Sequence, residues 1–464
     1  MKKFFVFLTV ALAVALPVFA NGTSEGENVN TDMKGVVSEP TTWGPNTFGE
    51  NVKYDPDLEI NNGEPITIDY WVWTADDLFQ SIVDAYSEIH PNVTVNIINN
   101  PFSDYWTKLP LMLKGKNGPA LFNIHNSYQQ NFINYAAPYA INLDDLKADF
   151  DGIDNHVIDG KIYYIDYGWM TSSVFYNKAL WKKAGLTDAD IPETWDEFRD
   201  VAKKLTIWNG DKLVQAGLNT NGTLATDVIM GLGYQKGYPL FEKDQTTFNV
   251  NNPGIKEALQ MAKDWYDVDK VGSKDFGENG FDSLGQGLSA MTLGWGWRGR
   301  YIEYFFPDIE YGVFQTPTWD GNPIGYNRLN GECTFGINKN ASSAAQAVAQ
   351  DIVRFYLASD EQQEYSSVYM NTYPTKKSIQ NSEKILSIPA CNVLAMNADK
   401  YVYPGAMPAC VEDNAHICAQ NIFYNGMSID EALQVEEDQT NRDLEGTGFV
   451  AVENQYAYAD KFIY

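Results

Sequence analysis

The chain has 464 residues, of which 44% are hydrophobic and 14% aromatic, enough apolar material for two or three packed domains. Acidic residues outnumber basic ones by 61 to 33, which gives a formal net charge of −28. Such a surface repels phosphate groups, so the charge argues against binding to nucleic acids and to anionic membrane surfaces.

Residues 1–20 have the pattern of a secretory signal peptide. Lys2 and Lys3 form a positive start, residues 4–16 an apolar core, and residues 18–20 a cleavage site that ends in alanine. The apolar run is short for a bilayer span, which needs about 20 residues. No cysteine follows it that could carry a lipid anchor. We therefore expect a protein that is periplasmic or secreted, with Asn21 as its mature N-terminus.

Residues 21–64 are rich in Gly, Asn, Glu, Thr and Pro and show little apolar periodicity, which predicts a flexible, exposed N-terminal extension. Folding is expected to begin near Pro65 with a βαβ unit. Its elements and the two that follow are predicted as a strand at 66–73, a helix from Asp77, a strand at 90–98, a helix at 105–114 and a strand at 119–124.

The segment 161–205 carries the strongest local signals. Two aromatic and β-branched runs predict strands, and a helix at 178–184 should end at Gly185, which can adopt a positive φ. Thr194 followed by Glu197 forms a capping box for the next helix. Trp181 and Trp195 lie on the apolar faces of these two helices, so we expect both in the core.

Later in the chain, helices are predicted at 214–234, 255–268, 344–358 and 428–435. The four cysteines lie in a chain that we expect to be exported, which favours at least one disulfide, with the connectivity left open. They are Cys333, Cys391, Cys410 and Cys418. A metal site is the weaker interpretation, because no CxxC occurs and the four histidines are scattered.

Several blocks in a fixed order resemble a known family. The blocks GKIYYIDYG (160–168), YNKALWKKAGL (176–186) and PETWDEFRDVAKKL (192–205) are similar to the middle of the family 1 extracellular solute-binding proteins. That family comprises the sugar-capturing components of ABC importers and includes maltose-binding protein. GLSAMTLGWGW (287–297) and NTYPTKKSI (371–379) resemble later blocks of the family, and the resemblance covers roughly residues 65 to 380.

The resemblance implies an α/β, two-lobed periplasmic binding protein fold of type II-like topology. Central β-sheets are flanked by helices, and the ligand cleft lies between the lobes. Lobe 1 would hold residues 65–168 plus 336–385, and lobe 2 residues 169–335 plus 386–464. Ligand capture would proceed by hinge closure, in which the closed form is stabilised by contacts to both lobes.

A sugar site needs flat aromatic faces to cover the apolar side of a pyranose and planar polar groups to pair its hydroxyls. The chain places candidates of both kinds at predicted strand ends, where ligands bind in open α/β sheets. Our candidate ligand-binding residues are Trp73, Asp76, His125, Asn126, Trp169, Trp295, Trp297, Arg298 and Glu332.

Each candidate also has a purely structural interpretation. The tryptophans can belong to the core, Asp76 can cap a helix, and Arg298 can form a surface ion pair. His125 can be a satisfied structural histidine, Asn126 can end its strand, and Glu332 can hold a crossing strand in place. An aromatic residue that the family often has near Glu332 is absent, so the resemblance does not imply which sugar is bound.

We therefore expect a protein that captures a mono- or oligosaccharide and delivers it to the membrane permease of an ABC transporter. It should act as a monomer without a cofactor or metal and should not be an enzyme. A sugar sensor or adhesin using the same cleft is an alternative. A secreted glycosidase is another, although GxSxG, HExxH and phosphate-loop motifs are absent from the sequence.

Overall fold

The computed structural model describes residues 42–74 and 76–464, without the side chain of Asp76. The predicted signal peptide and residues 21–41 lie outside the described residues. The strands are β1 (Ile66–Val72), β2 (Val93–Asn99), β3 (Leu121–Asn123), β4 (Ala136–Ala137), β5 (Asp166–Asn177), β6 (Ile207–Asn209), β7 (Lys212–Leu218), β8 (Ser289–Trp295), β9 (Tyr311–Phe314), β10 (Leu329–Cys333), β11 (Phe335–Asn338) and β12 (Tyr373–Pro374).

The helices flank these strands, and most of those described begin after an Asn, Ser or Thr whose side chain accepts a backbone N–H of the first turn. They are α1 (Asp76–Ile89), α2 (Phe102–Leu113), α3 (Gln129–Phe132), α4 (Leu143–Asp149), α5 (Lys178–Lys183), α6 (Trp195–Leu205), α7 (Pro253–Asp267), α8 (Gly280–Gly285), α9 (Arg298–Phe305), α10 (Ser343–Ala358), α11 (Asp360–Met370), α12 (Glu383–Leu386), α13 (Pro389–Met396), α14 (Ala409–Phe423) and α15 (Ile429–Leu444). No helix in the described part of the chain is both long and apolar enough to cross a membrane.

The first sheet has the strand order β2-β1-β3-β11-β4. Strand β1 runs parallel to β2 and to β3, as the predicted βαβ unit requires, whereas β11 is antiparallel to β3 and β4. Alternate residues of β1 point into a core shared with α1 and α10. The carboxyl ends of β1 and β3 therefore meet at one edge of this sheet.

The second sheet has the order β10-β5-β8-β7-β6, and β9 and β12 also pair with β5. Strand β5 is its centre, because all of its residues except Trp169 are buried. Sequence neighbours β10 and β11 belong to different sheets, with Thr334 alone between them. The Thr334 backbone N–H donates to the carbonyl of Ile165 at 2.8 Å, so the two chain segments that pass between the sheets are bonded to each other.

Local predictions around α5 and α6 are confirmed. Gly185 has a φ of +77° directly after the first of these helices. Thr194 and Glu197 form the predicted capping box, with the Glu197 carboxylate accepting from the Thr194 N–H at 3.0 Å. Trp181 and Trp195 are 4% and 2% exposed, which places both in the core.

The prediction of an exposed N-terminal extension is wrong for residues 42–64. Val52 and Tyr54 are each 1% exposed, and the Tyr54 hydroxyl donates to Asp351 Oδ2 at 2.9 Å. The Asp149 carboxylate accepts from the Val52 backbone N–H at 2.7 Å. Two isolated apolar residues in a polar stretch have no periodicity, so the pattern of the sequence could not reveal that this segment bonds to α4 and α10.

The predicted helix at 214–234 is also wrong. Strand β7 occupies its start, and a π-helix (Leu224–Ile229) and a 3₁₀-helix (Leu232–Lys236) follow. The first half of β7 alternates between exposed and buried residues and pairs in parallel with β8. The start of this segment is a short, mostly apolar run, and such a run is compatible with a buried strand or a buried helix. Its pairing with β8 makes it a strand.

The expected disulfide is wrong as well, because all four cysteines are free thiols. Cys333, Cys391 and Cys418 are buried in three different apolar clusters, so nearness in sequence did not bring the thiols together. Among the described residues, no cluster of His, Cys, Asp and Glu side chains could hold a metal ion.

Candidate functional site: the cleft between the two sheets

Two cavities lie where loops of the first sheet face the second. The first has a volume of about 260 Å³, and we call it the aromatic cavity. It is lined from one side by Thr74 and Tyr369, and from the other by Trp297, Arg300, Tyr301 and Tyr304. The second, which we call the arginine cavity, has only about 10 Å³, roughly the space of one water molecule. It is lined by Asn126, Ser127, Met230, Arg328, Asn330 and Glu412, among others.

On the side of the first sheet, the predicted residues Trp73 and His125 belong to one aromatic cluster. The half-buried Trp73 ring lies 5.0 Å from Tyr105 and 6.3 Å from His125, measured between ring centroids. His125 Nδ1 accepts the Ser127 backbone N–H at 3.2 Å, which leaves the proton of the neutral ring on Nε2. Burial lowers the pKa of His125, so the imidazole is uncharged at neutral pH.

Asn126 joins the first sheet to the strands that pass between the sheets. Its side-chain amide donates to Asp166 Oδ1 at 3.3 Å and to the Gly331 carbonyl at 3.2 Å. Its carbonyl oxygen accepts from the Cys333 thiol at 3.0 Å between sulfur and oxygen. Asn126 borders the arginine cavity, but protein groups already occupy much of its bonding capacity.

Glu332 and Asp166 lie close together at the base of the cleft. Burial, with Asp166 adding to it, raises the pKa of the half-buried Glu332 to about 7. Asp166 itself is 3% exposed and pairs with His156 Nε2 at 3.1 Å. Glu332 is therefore partly protonated near neutral pH, and can donate a hydrogen bond as well as accept one.

On the side of the second sheet, the predicted residues follow strand β8. The Arg298 guanidinium carbon lies 4.1 Å from the centroid of the Trp297 ring, and both side chains are half-buried. Trp295 is only 8% exposed, and the Arg328 guanidinium stacks over it at 4.6 Å. Trp297 thus reaches the aromatic cavity, whereas one face of Trp295 is already covered.

Trp169 and Asp76 stand apart from these groups. Trp169 is half-buried on β5, directly opposite Gly331 of β10 and Tyr373 of β12. Its ring lies against Gly152, where an added Cβ would be 2.7 Å from Trp169 Cζ2. The backbone of Asp76 begins α1 beside the aromatic cavity, but its side chain lies outside the described part.

Comparison with known proteins gives a clear family assignment. A family model described as bacterial extracellular solute-binding protein matches residues 81–391, more than half of the chain. The chain belongs to this family. Its fold is the expected two-lobed one: the maltose/maltodextrin-binding domain MalE from Bdellovibrio bacteriovorus, bound to maltotriose, superposes with a TM-score of 0.67 at 19% identity, covering 82% of this chain and 100% of that one.

Relatives of this solute-binding protein in sequence are distant. The galactooligosaccharide-binding protein of Bacillus subtilis (strain 168) is 22% identical over 406 residues, which cover 85% of each protein. A binding protein of Brucella abortus (strain 2308) is 24% identical over 277 residues, which cover 57% of this chain. The match spans 66% of the length of that relative.

Three residues of the arginine cavity are not among the predicted site residues. Arg328 directly precedes β10, Met230 follows the π-helix, and Glu412 lies on α14. One signal was available. Arg328, Asn330 and Glu332 alternate with Leu329, Gly331 and Cys333, and such alternation puts the polar side chains on one face of a strand.

Proposed function

We propose that this solute-binding protein captures a carbohydrate in the cleft between its lobes and delivers it to the membrane permease of an ABC importer. The observation that carries the proposal is the aromatic cavity, to which both sides of the cleft contribute. Trp297, Tyr301 and Tyr304 offer ring faces of the kind that cover the apolar side of a pyranose. Arg300 and Asp77 lie at the same cavity and can pair with hydroxyl groups.

The ligand site that we propose contains the predicted residues around both cavities. Trp73, His125, Trp297 and Arg298 would contact sugar directly, and Glu332 would meet it at the base of the cleft. Relatives support a sugar as the ligand, since one is named for galactooligosaccharides and a structural neighbour holds maltotriose.

The small arginine cavity supports capture by hinge motion. A space of about 10 Å³ cannot admit a sugar ring, so the lobes have to separate before a ligand can enter. The segments that pass between the sheets near β5 and between β10 and β11 would be the hinge. Ligand contacts to both lobes would then stabilise the closed form, which the permease would recognise.

The remaining properties follow from this role. The protein would be exported by its signal peptide and would act as a periplasmic or secreted monomer that binds no nucleic acid. It would release its ligand chemically unchanged, because its function would be transport and not catalysis. The lobes would be divided as the resemblance implies, with residues 42–64 added to lobe 1.

Thermal unfolding of the purified protein in the presence of candidate ligands tests the proposal. The panel would contain maltotriose, β-1,4-galactobiose, N,N′-diacetylchitobiose, glycerol and spermidine. A ligand at about 100 times its dissociation constant adds about 2.7 kcal/mol to the free energy of unfolding. A raised midpoint with a saccharide that is recovered intact supports the proposal, whereas a shift with spermidine alone, or hydrolysis of the saccharide, contradicts it.

A further inference from the structure

Arg328 is a buried cation that the protein leaves largely without hydrogen-bond partners. The residue is 4% exposed, and its Nε has no partner among the described residues. Nη2 lies 3.9 Å from the Met230 sulfur and 3.9 Å from Glu412 Oε2, which is too far for a hydrogen bond to oxygen. A guanidinium has five N–H donors, so most of its bonding capacity is unused in a place where unpaired donors are costly.

A second buried arginine shows what a structural role looks like in this protein. Arg354 is 5% exposed, and its guanidinium donates to the carbonyls of Lys53, at 3.3 Å, and of Ala140. These bonds tie the N-terminal segment and the chain after β4 to α10. The two arginines are buried equally, but only Arg354 has carbonyl acceptors within bonding distance.

The structure also holds the Arg328 side chain in a defined position. Its guanidinium lies over the Trp295 ring with 4.6 Å between the guanidinium carbon and the ring centroid. Its carbonyl accepts from Thr171 Oγ1 at 2.8 Å, and the residues on either side of it bond to Val402. The guanidinium thus has the Trp295 ring on one side, and Arg328 lines the arginine cavity together with Asn126 of the first lobe. A fork of donors held in this way is suited to bind two oxygens at once.

The charges around Arg328 argue for an uncharged partner. Although burial opposes it, His416 and Arg328 lower the pKa of Glu412, which therefore stays ionised. Asp227, on the π-helix, also acts electrostatically on Arg328. Glu412 also pairs with His416, and Asp227 also faces Arg298. A ligand carboxylate bound by Arg328 would lie beside these two carboxyl groups, whose negative charges oppose it.

We infer that Arg328 determines ligand specificity by donating to two neighbouring hydroxyl oxygens of a neutral sugar. The inference rests on the proposed function, because it assigns a ligand contact within the same cleft. It adds that the sugar carries two adjacent free hydroxyls and no carboxylate at this position. Trp295 then supports Arg328 and does not itself stack on the sugar.

The test compares Arg328→Met and Arg328→Lys with Arg354→Met as the matched control. Binding of maltotriose, β-1,4-galactobiose, N,N′-diacetylchitobiose and digalacturonic acid is measured by calorimetry, and stability without ligand by urea unfolding. For the best neutral sugar, we expect Arg328→Met to weaken binding at least about tenfold, since hydrogen bonds from a charged donor are lost. Lysine cannot replace the planar fork, so Arg328→Lys should restore only part of the affinity.

Stability without ligand separates a ligand-binding role from a structural one. Arg328→Met should lower the urea midpoint less than Arg354→Met does, because no carbonyl acceptor loses a hydrogen-bond donor. Arg354→Met should unfold at a lower urea concentration and keep an affinity within about twofold of the wild type.

Each contrary result has a distinct meaning. Unchanged sugar affinity in Arg328→Met, or a urea midpoint that falls as far as that of Arg354→Met, would overturn the inference and leave the proposed function standing. A wild-type protein that binds only digalacturonic acid would also overturn it, since that ligand is anionic. If the wild type binds none of the four compounds, both the proposed function and the inference fail.

Discussion

Glu436 gives the sharpest prediction about stability, because it is a buried carboxylic acid with almost no polar groups around it to offset its burial. It lies on α15, is 2% exposed, and neither of its carboxyl oxygens has a hydrogen-bond partner of normal geometry. Burial raises the pKa of Glu436 to about 8, and the neighbouring Cys418 thiol offsets only part of this rise. Glu436 is therefore largely protonated in the folded protein at neutral pH.

The sign of the effect follows from proton linkage. An unfolded glutamate titrates near pH 4.5, so between that pH and 8 the folded state binds the additional proton, and stability falls as the pH rises. With these two pKa values, Glu436 lowers the free energy of unfolding by about 3 kcal/mol between pH 5 and pH 7.5. Glutamine at this position keeps the shape and has no proton to lose as the pH rises.

The assay is urea unfolding of the wild type and of Glu436→Gln at these two pH values. On going from the lower to the higher pH, we expect the free energy of unfolding of the variant to fall by about 3 kcal/mol less than that of the wild type. Glu445→Gln, an exposed position just beyond the same helix, serves as the control and should keep the wild-type difference. The same difference in Glu436→Gln and the wild type would refute this account of the buried acid.

Three further changes test other parts of the structure. Trp297→Ala should weaken sugar binding by at least about 1 kcal/mol in calorimetry, as loss of a stacking ring predicts, and unchanged affinity would remove Trp297 from the site. Thr194→Ala should lower the urea-derived free energy of unfolding by about 1 kcal/mol, because the Glu197 N–H loses its cap; an unaltered value would mean that the cap contributes nothing. Tyr54→Phe should lower it by about 1 to 2 kcal/mol, since Asp351 loses a buried donor, and no change would show that the segment 42–64 is held by other contacts.

Elements with strong local signals could be predicted from the sequence. The capping box of α6, the glycine after α5 and the βαβ unit each depend on residues within a few positions of one another. Trp181 and Trp195 were likewise placed correctly, because helical periodicity fixes which face is buried. These features are encoded locally, so tertiary contacts had little opportunity to override them.

Features that depend on contacts between distant residues could not be predicted in this way. Tyr54 is buried because it meets Asp351 almost three hundred positions later, and no pattern near Tyr54 announces that contact. Strand β7 was mistaken for a helix because its pairing with β8 lies outside any local window. For the same reason the candidate site was predicted only in part. Trp297 ends a recognisable block, whereas Glu412 reaches the arginine cavity through the packing of α14.

The arrangement of polar groups in the cleft bears on how the hinge is balanced. In the structure, Arg328 is 4% exposed at the arginine cavity and Glu332 is half-buried further along β10, which is unfavourable for charged or ionisable groups. Opening the lobes would return them to water, whereas a bound sugar would supply oxygens to the same groups with the lobes together. The polar residues of the cleft would thus favour the open form without ligand and the closed form with it, and in the proposed function this difference in free energy would couple sugar binding to closure.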